Sequence, residues 1–271
     1  MTSIASDAIS VVLGEAEVLG GVTVEAPAGS FIGIVGPNGC GKTTLLRALH
    51  RALPASSGAV LLDGTNISAL TGREVASQIA VVAQEHPVTF EFTTAEVAAM
   101  GRIPHKRGFD AEDDEDRRLV AASLEALGLS DLAHRPFNAM SGGERQRALI
   151  ARALVQESSV ILLDEPTNHL DIHFQLDVLH RVQSLGLTTV AALHDLNLAA
   201  AWCDVVYVMS RGRVVAAGPP TEALAPELVQ EVFGVAATAF THPITGKHQL
   251  LFDRLVEQGV PGPPPAARRS E

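Results

Sequence analysis

The 271-residue chain carries a net charge of −11 and is 46% apolar but only 4% aromatic, so its core is expected to be built from Ala, Val, Leu and Ile. That charge argues against a general nucleic-acid binder and against electrostatic adhesion to anionic membranes, both of which need a basic face. Two cysteines, Cys40 and Cys203, make no disulfide framework and suit a reducing compartment.

Residues 1–8 are expected to be flexible, and residues 1–9 lack the basic start and long apolar run of a signal peptide. Residues 9–35 alternate apolar and polar positions, with turn signals at Gly20-Gly21 and Pro27-Ala28-Gly29. They predict short antiparallel strands leading into a buried strand at 31–35. Next come Gly36-Pro37-Asn38-Gly39-Cys40-Gly41-Lys42-Thr43-Thr44 and the apolar start of a helix. Strand, G-x-x-x-x-G-K-[ST] loop and helix form a phosphate-binding unit. Its glycines let backbone N–H groups converge on an anion, and the helix adds its positive dipole end. Lys42 can reach the β- and γ-phosphates, and the Thr43 hydroxyl can ligand Mg²⁺. The same helix end is expected to lower the Cys40 thiol pKa.

Ala59–Leu62 and Ile79–Ala83 predict two further strands, the second ending at Gln84. Between about 92 and 140 the chain reads as a helical insertion, with helices over Thr94–Met100 and Ala111–Leu127 and a short one near Ser130. Asp110 to Asp116 carries six acids in seven positions. A solvated helix start suits them, because carboxylates favour the dipole there; a specific cation site is the alternative. Helices at 142–155, 171–185 and 195–202 then alternate with strands at 160–163, 188–193 and 205–209. That alternation predicts a mostly parallel sheet in a three-layer α/β fold. A hairpin near Arg211-Gly212-Arg213 and a helix at Pro226–Phe233 follow, and the Pro-rich tail, 254–271, is expected to be disordered. The apolar stretch Thr188–Met209 is broken by His194, Asp195, Asn197 and Asp204. No segment reaches the uncharged length of a bilayer span, so a soluble protein is expected, with any membrane role exerted through a partner.

Two stretches complete the chemistry. Val160–Leu163 is an apolar strand ending in Asp164 and Glu165, at the sheet edge where α/β proteins place ligands. Asp164 suits Mg²⁺, and Glu165 can orient or deprotonate an attacking water. In Ser141-Gly142-Gly143-Glu144, Ser141 reads as a helix cap with Glu144 completing a capping box, and the two glycines leave amides open to a second anion. Capping alone does not need two glycines, each of which weakens a helix by about 1 kcal/mol.

Together these residues resemble the ATP-binding subunit of ABC transporters. The Walker A loop is 36–44, the Q-loop glutamine Gln84, the signature 141–146, and the Walker B strand 160–165. The D-loop is Asn168-His169-Leu170-Asp171 and the switch histidine is His194. The resemblance implies a P-loop NTPase nucleotide-binding domain over 9–253, with a RecA-like core, an antiparallel β subdomain and a helical subdomain at about 92–155. It implies a head-to-tail homodimer sandwiching two ATP molecules with Mg²⁺, each between Walker A of one subunit and Ser141, Gly142 and Gly143 of the other. Glu165 would be the catalytic base, His194 would contact the γ-phosphate, and Gln84 would sense Mg²⁺ and the membrane subunit.

The resemblance departs at the base, since no aromatic residue stands near Val12-Leu13 to stack on adenine; Leu13 or Val18 is the substitute platform. Gly101-Arg102-Ile103-Pro104-His105, His194-Asp195-Leu196-Asn197-Leu198-Ala199 and Val232-Phe233-Gly234-Val235 resemble the importer subgroup for iron–siderophores, with haem and cobalamin importers close by. That implies a peripheral subunit on the cytoplasmic face of the membrane, a multi-span permease, an extracytoplasmic binding protein and no nucleic acid. A non-transport ATPase of the superfamily would carry long coiled coils or tandem halves, and this chain has neither. A P-loop kinase or GTPase would leave the signature and His194 unexplained. His169 and His173 are the nearest approach to a histidine ligand pair, and family loop plus helix surface accounts for them.

Overall fold

In the computed structural model, which describes residues 2–83, 92–106, 110–168 and 170–255, the chain starts with two long antiparallel strands, β1 (Ile4–Leu13) and β2 (Ala16–Ala26). β3 (Phe31–Val35) runs into the glycine-rich loop and helix α1 (Lys42–Leu49). β4 (Ser57–Leu62) and β5 (Thr65–Asn66) form a hairpin, followed by α2 (Gly72–Gln78) and β6 (Ile79–Val82). Helices α3 (Thr94–Ala99), α4 (Asp114–Ala126) and α5 (Gly142–Val155) come next. Strands and helices then alternate as β7 (Val160–Asp164), α6 (Ile172–Ser184), β8 (Thr188–Ala192), α7 (Leu196–Trp202), β9 (Val205–Ser210) and β10 (Arg213–Gly218). Helices α8 (Pro220–Ala223) and α9 (Pro226–Phe233) lead to a hairpin of β11 (Ala236–Thr241) and β12 (His248–Asp253).

The central sheet has the order β10-β9-β3-β8-β7-β6, parallel except for β10. β3, β7 and β8 are buried along their whole length, which explains their unbroken apolar runs. Their alternate residues feed two cores. Phe31, Val35, Ile161, Leu163 and Ala191 face the helical side, whereas Ile32, Ile34, Val160, Leu162 and Val190 face α1 and the second sheet. Each fully buried Ile, Leu or Val contributes about 1.5–3 kcal/mol of transfer energy. The second sheet, β2-β1-β4-β5, is antiparallel and shares the α1 side. The mixed α/β architecture is therefore the expected one.

Three expectations need correction. The chain is not flexible up to residue 8: β1 begins at Ile4, which is buried between Ala26 of β2 and Leu62 of β4. The Ser6 hydroxyl ties this strand down by donating to the Val22 carbonyl and accepting from the Val24 amide. The hairpin β11–β12 was not foreseen, since its mixed small and polar residues show no clean alternation. Helix α4 starts later than Ala111, because the Asp113 carboxylate caps it by accepting from the amides of Glu115 and Asp116.

That cap also alters the reading of the acidic run. Asp116 is only 3% exposed, bonded to Arg102 Nε at 2.9 Å and in contact with Lys106. Burial alone would push its carboxyl up, but Lys106, the Asp113 amide and Arg102 hold it well below the usual carboxylate range. The cations serving this helix start are the protein's own, and among the described residues no acid and histidine cluster is built for a metal.

Candidate functional site

The site is assembled where β3, β7 and β8 end on the same edge of the sheet. After β3 the backbone makes turns that only glycine takes easily. Gly36, Gly39 and Gly41 have φ of 155°, 77° and 107°, and a Cβ on Gly36 would lie 2.2 Å from the Met209 carbonyl oxygen. Gly41 enters α1 without a side-chain cap, so the amides of the first turn are left for a ligand. Lys42 is 5% exposed and curls over the loop, its Nζ donating to the Gly36 and Pro37 carbonyls at 2.8 and 3.3 Å. Those partners neutralise none of its charge.

The Thr43 hydroxyl donates to Asp164 Oδ1 across 3.1 Å, which brings two hard oxygen groups together from residues 121 apart in sequence. Burial pushes the Asp164 carboxyl up, and neighbouring Glu165 adds to this, against the Thr43 hydrogen bond and the charges of Arg47 and Lys42. Paired oxygens and an incompletely compensated carboxylate suit a small divalent cation such as Mg²⁺. Because the folded-state pKa lies above the unfolded one, stability falls as pH climbs through the carboxylate range. Asp164→Asn keeps the shape without the charge. Its Tm at pH 7, without nucleotide or divalent cation, is expected to exceed the wild type's by about 2–4 °C. The gap should close toward pH 4; equal melting at both pH values would remove the buried-charge explanation.

Glu165 takes the left-handed conformation, φ 54°, and its amide donates to the Ala192 carbonyl of β8 at 3.1 Å. The turn carries its carboxylate to His194, two residues beyond β8. One oxygen contacts His194 Nε2, and the other accepts from Asn168 Nδ2 at 3.0 Å. Asp195 then caps α7 through the amides of Asn197 and Leu198, which holds the His194 backbone. A cleft of about 560 Å³ runs between these groups, lined by Asn38, Gly39, Gly41, Lys42, Thr43, Thr44, Glu165, Asn168 and His194, with Val18 at one side. Val12 and Leu13, by contrast, are exposed and do not line it.

Ser141, Gly142, Gly143 and Glu144 are not part of this cleft. They open α5 with the expected capping box: the Ser141 hydroxyl accepts from the Glu144 amide, and the Glu144 carboxylate accepts from Ser141. Gly143 has a packing reason of its own, since a Cβ there would lie 2.8 Å from the Phe174 ring of α6. Gln84 and His169 lie outside the described residues.

Cys40 departs from expectation. Its side chain is 4% exposed, and burial pushes the thiol up despite the lowering pull of Lys42 and the loop amides. Desolvation outweighs the helix dipole here. Cys203 is likewise buried, its thiol pushed far up, and a Cβ on Gly33 would lie 2.7 Å from its sulfur. The sequence reading also missed Asn168 as the partner of Glu165. A signal was present, since an Asn three residues on, past a proline, is a turn former able to hold the preceding carboxylate.

The profile of the ABC transporter family matches residues 19–168. The ferric enterobactin transport ATP-binding protein FepC of Escherichia coli is 40% identical over 83% of this chain and 84% of its own length. The hemin import ATP-binding protein HmuV of Streptomyces coelicolor is 42% identical over 89% of this chain and 87% of its own. Among solved structures, the ADP conformation of MJ1267, an ATP-binding cassette of an ABC transporter, superposes with a TM-score of 0.77 at 26% identity. It covers 86% of this chain and 98% of that one.

Proposed function

The chain belongs to the ABC transporter family, and on that premise we propose that it is the ATP-hydrolysing subunit of an importer for iron–siderophore chelates. One observation carries the ATPase reading: Lys42, Thr43 and the Glu165–His194 pair all border a single cleft, and Thr43 is hydrogen-bonded to Asp164. The triphosphate of ATP would lie in the glycine loop, on the amides that open α1, with Lys42 at its β- and γ-phosphates. Thr43 and Asp164, with Gln84, would hold Mg²⁺, which supplies charge neutralisation for the phosphates when bound.

Glu165 Oε would accept a proton from the attacking water as its oxygen bonds to the γ-phosphorus and the bond to the bridging β,γ-oxygen breaks, giving ADP and phosphate. Asn168 and His194 fix that carboxylate from either side, and His194 also reaches the γ-phosphate. The signature residues Ser141, Gly142, Gly143 and Glu144 stand outside the cleft of their own chain. They would complete the site of a second subunit in a head-to-tail dimer. With no aromatic residue at hand, Val18 would serve as the apolar platform for adenine.

No helix among the described residues is long and apolar enough to cross a membrane, so translocation falls to a permease, with this subunit on its cytoplasmic face. A groove of about 680 Å³ at the junction of sheet and helical layer suits permease docking. Ile79, Val81, Met100 and Pro104 make it apolar, Ile103 stands 68% exposed, and Arg51 and Arg152 lie in its walls.

Siderophore cargo rests on the three subgroup stretches and on the likeness to FepC; the likeness to HmuV makes haem the second reading. The test is co-purification with a many-span permease, followed by ATPase assays with the cognate binding protein. Stimulation by the ferric-siderophore-loaded protein is expected. Stimulation by the haem-loaded protein alone would select the second reading, and no permease association would defeat both.

A further inference from the structure

The C-terminal end of α5 ties together segments that sequence separates widely. Gln156, its C-terminal cap, donates from Nε2 to the Ile79 carbonyl at 2.9 Å and to the Ala76 carbonyl, at the start of β6 and in the last turn of α2. One turn earlier, Arg152 Nη2 donates to the Val81 carbonyl at 3.2 Å. The His105 ring meets the Gln156 carbonyl at 2.8 Å, and Arg102 donates to the Val155 carbonyl at 3.1 Å. At Gly101 the backbones approach so closely that a Cβ would lie 2.1 Å from the Arg152 carbonyl oxygen. Of these residues Ala76, Ile79, Val81, Gly101, Arg152 and Gln156 border the groove.

The opposite end of α5, 14 residues and about 21 Å away, is the Ser141 cap with its signature glycines. Between them Ala148, Ile150, Ala151 and Ala153 are packed into the core, so the helix is held along its length. On the reading that a permease sits in the groove, we propose that Gln156, with Arg152 beside it, is a positioning residue. It sets the tilt of α5 against β6 and so carries the seating of the permease to the signature turn. A helix gripped at its groove end has no freedom to reorient at its signature end independently of β6. Neither residue borders the ATP cleft of this chain.

Gln156→Leu keeps the bulk and removes both donated bonds, whereas Gln156→Lys puts a donor of similar reach back. In the complex with permease and siderophore-loaded binding protein, Gln156→Leu is expected to lower stimulated kcat at least fivefold. The KM for ATP, the Tm and permease co-purification should stay near wild type, and Gln156→Lys should recover at least half of the lost stimulation. Full stimulation in Gln156→Leu would overturn the proposal. So would a loss that comes with a falling Tm and no rescue by Gln156→Lys, since that is the behaviour of a merely structural amide. Failure of the wild type to pair with the permease shows itself before any variant is compared. It would sink the transport reading, and this one with it.

Discussion

Glu165→Gln is expected to cut ATP turnover at least a hundredfold while leaving ATP affinity within a few-fold of wild type. Both carboxylate oxygens are engaged, one with His194 and one with Asn168, and the backbone is held left-handed to put them there. A left-handed non-glycine residue costs about 1–2 kcal/mol, which the Glu165 amide bond to Ala192 helps to offset. The amide preserves size and can still meet His194 and Asn168, so binding should survive. It cannot take a proton from water, and a hundredfold loss corresponds to about 2.7 kcal/mol of transition-state stabilisation. Single-turnover hydrolysis and equilibrium nucleotide binding measure the two halves separately. Size-exclusion chromatography with MgATP should show a dimer that persists in the variant. Near-normal turnover would remove Glu165 from the role of base.

The second large effect is complementation between two inactive subunits. Lys42→Ala removes the buried ammonium that closes over the phosphate loop. Ser141→Arg puts a bulky cation at the cap of α5, outside that cleft. Each homodimer is expected to be nearly inactive. A heterodimer of the two has one composite site with both lesions and one with neither, so mixing should restore a measurable fraction of activity. Subunit exchange must be followed with labelled protein alongside. If exchange occurs and nothing returns, a crosslink between cysteines placed at Gly39 and Ser141 decides the matter. ATP-dependent intermolecular products support sharing, and purely intrachain products overturn it. The native thiols, Cys40 and Cys203, are buried and should not compete.

Much of this site is legible in the chain because its chemistry is local. A glycine-rich turn between an apolar strand and a helix is written in contiguous residues. So are the capping box at Ser141 and Glu144 and the acids that end β7. The buried strands announce themselves because a strand covered on both faces needs an unbroken apolar run. The β11–β12 hairpin does not, since little of it is covered: Leu250 is buried while Phe240, Leu251 and Phe252 stay exposed. What holds it in place is the side chain of Asn197 on α7, which exchanges hydrogen bonds with both the amide and the carbonyl of Leu250.

The sequence by itself therefore determined the class of site and the contiguous motifs that compose it. Tertiary structure alone decided which groups meet across the chain. It turned Glu165 toward His194 and placed the Thr43 hydroxyl on Asp164. It gave Asp116 to Arg102 and Lys106 rather than to solvent, and set Phe174 against Gly143. It also reversed the expectation for Cys40. The helix dipole acting on that thiol is a local property, but desolvation depends on everything packed around it, and burial is the larger effect.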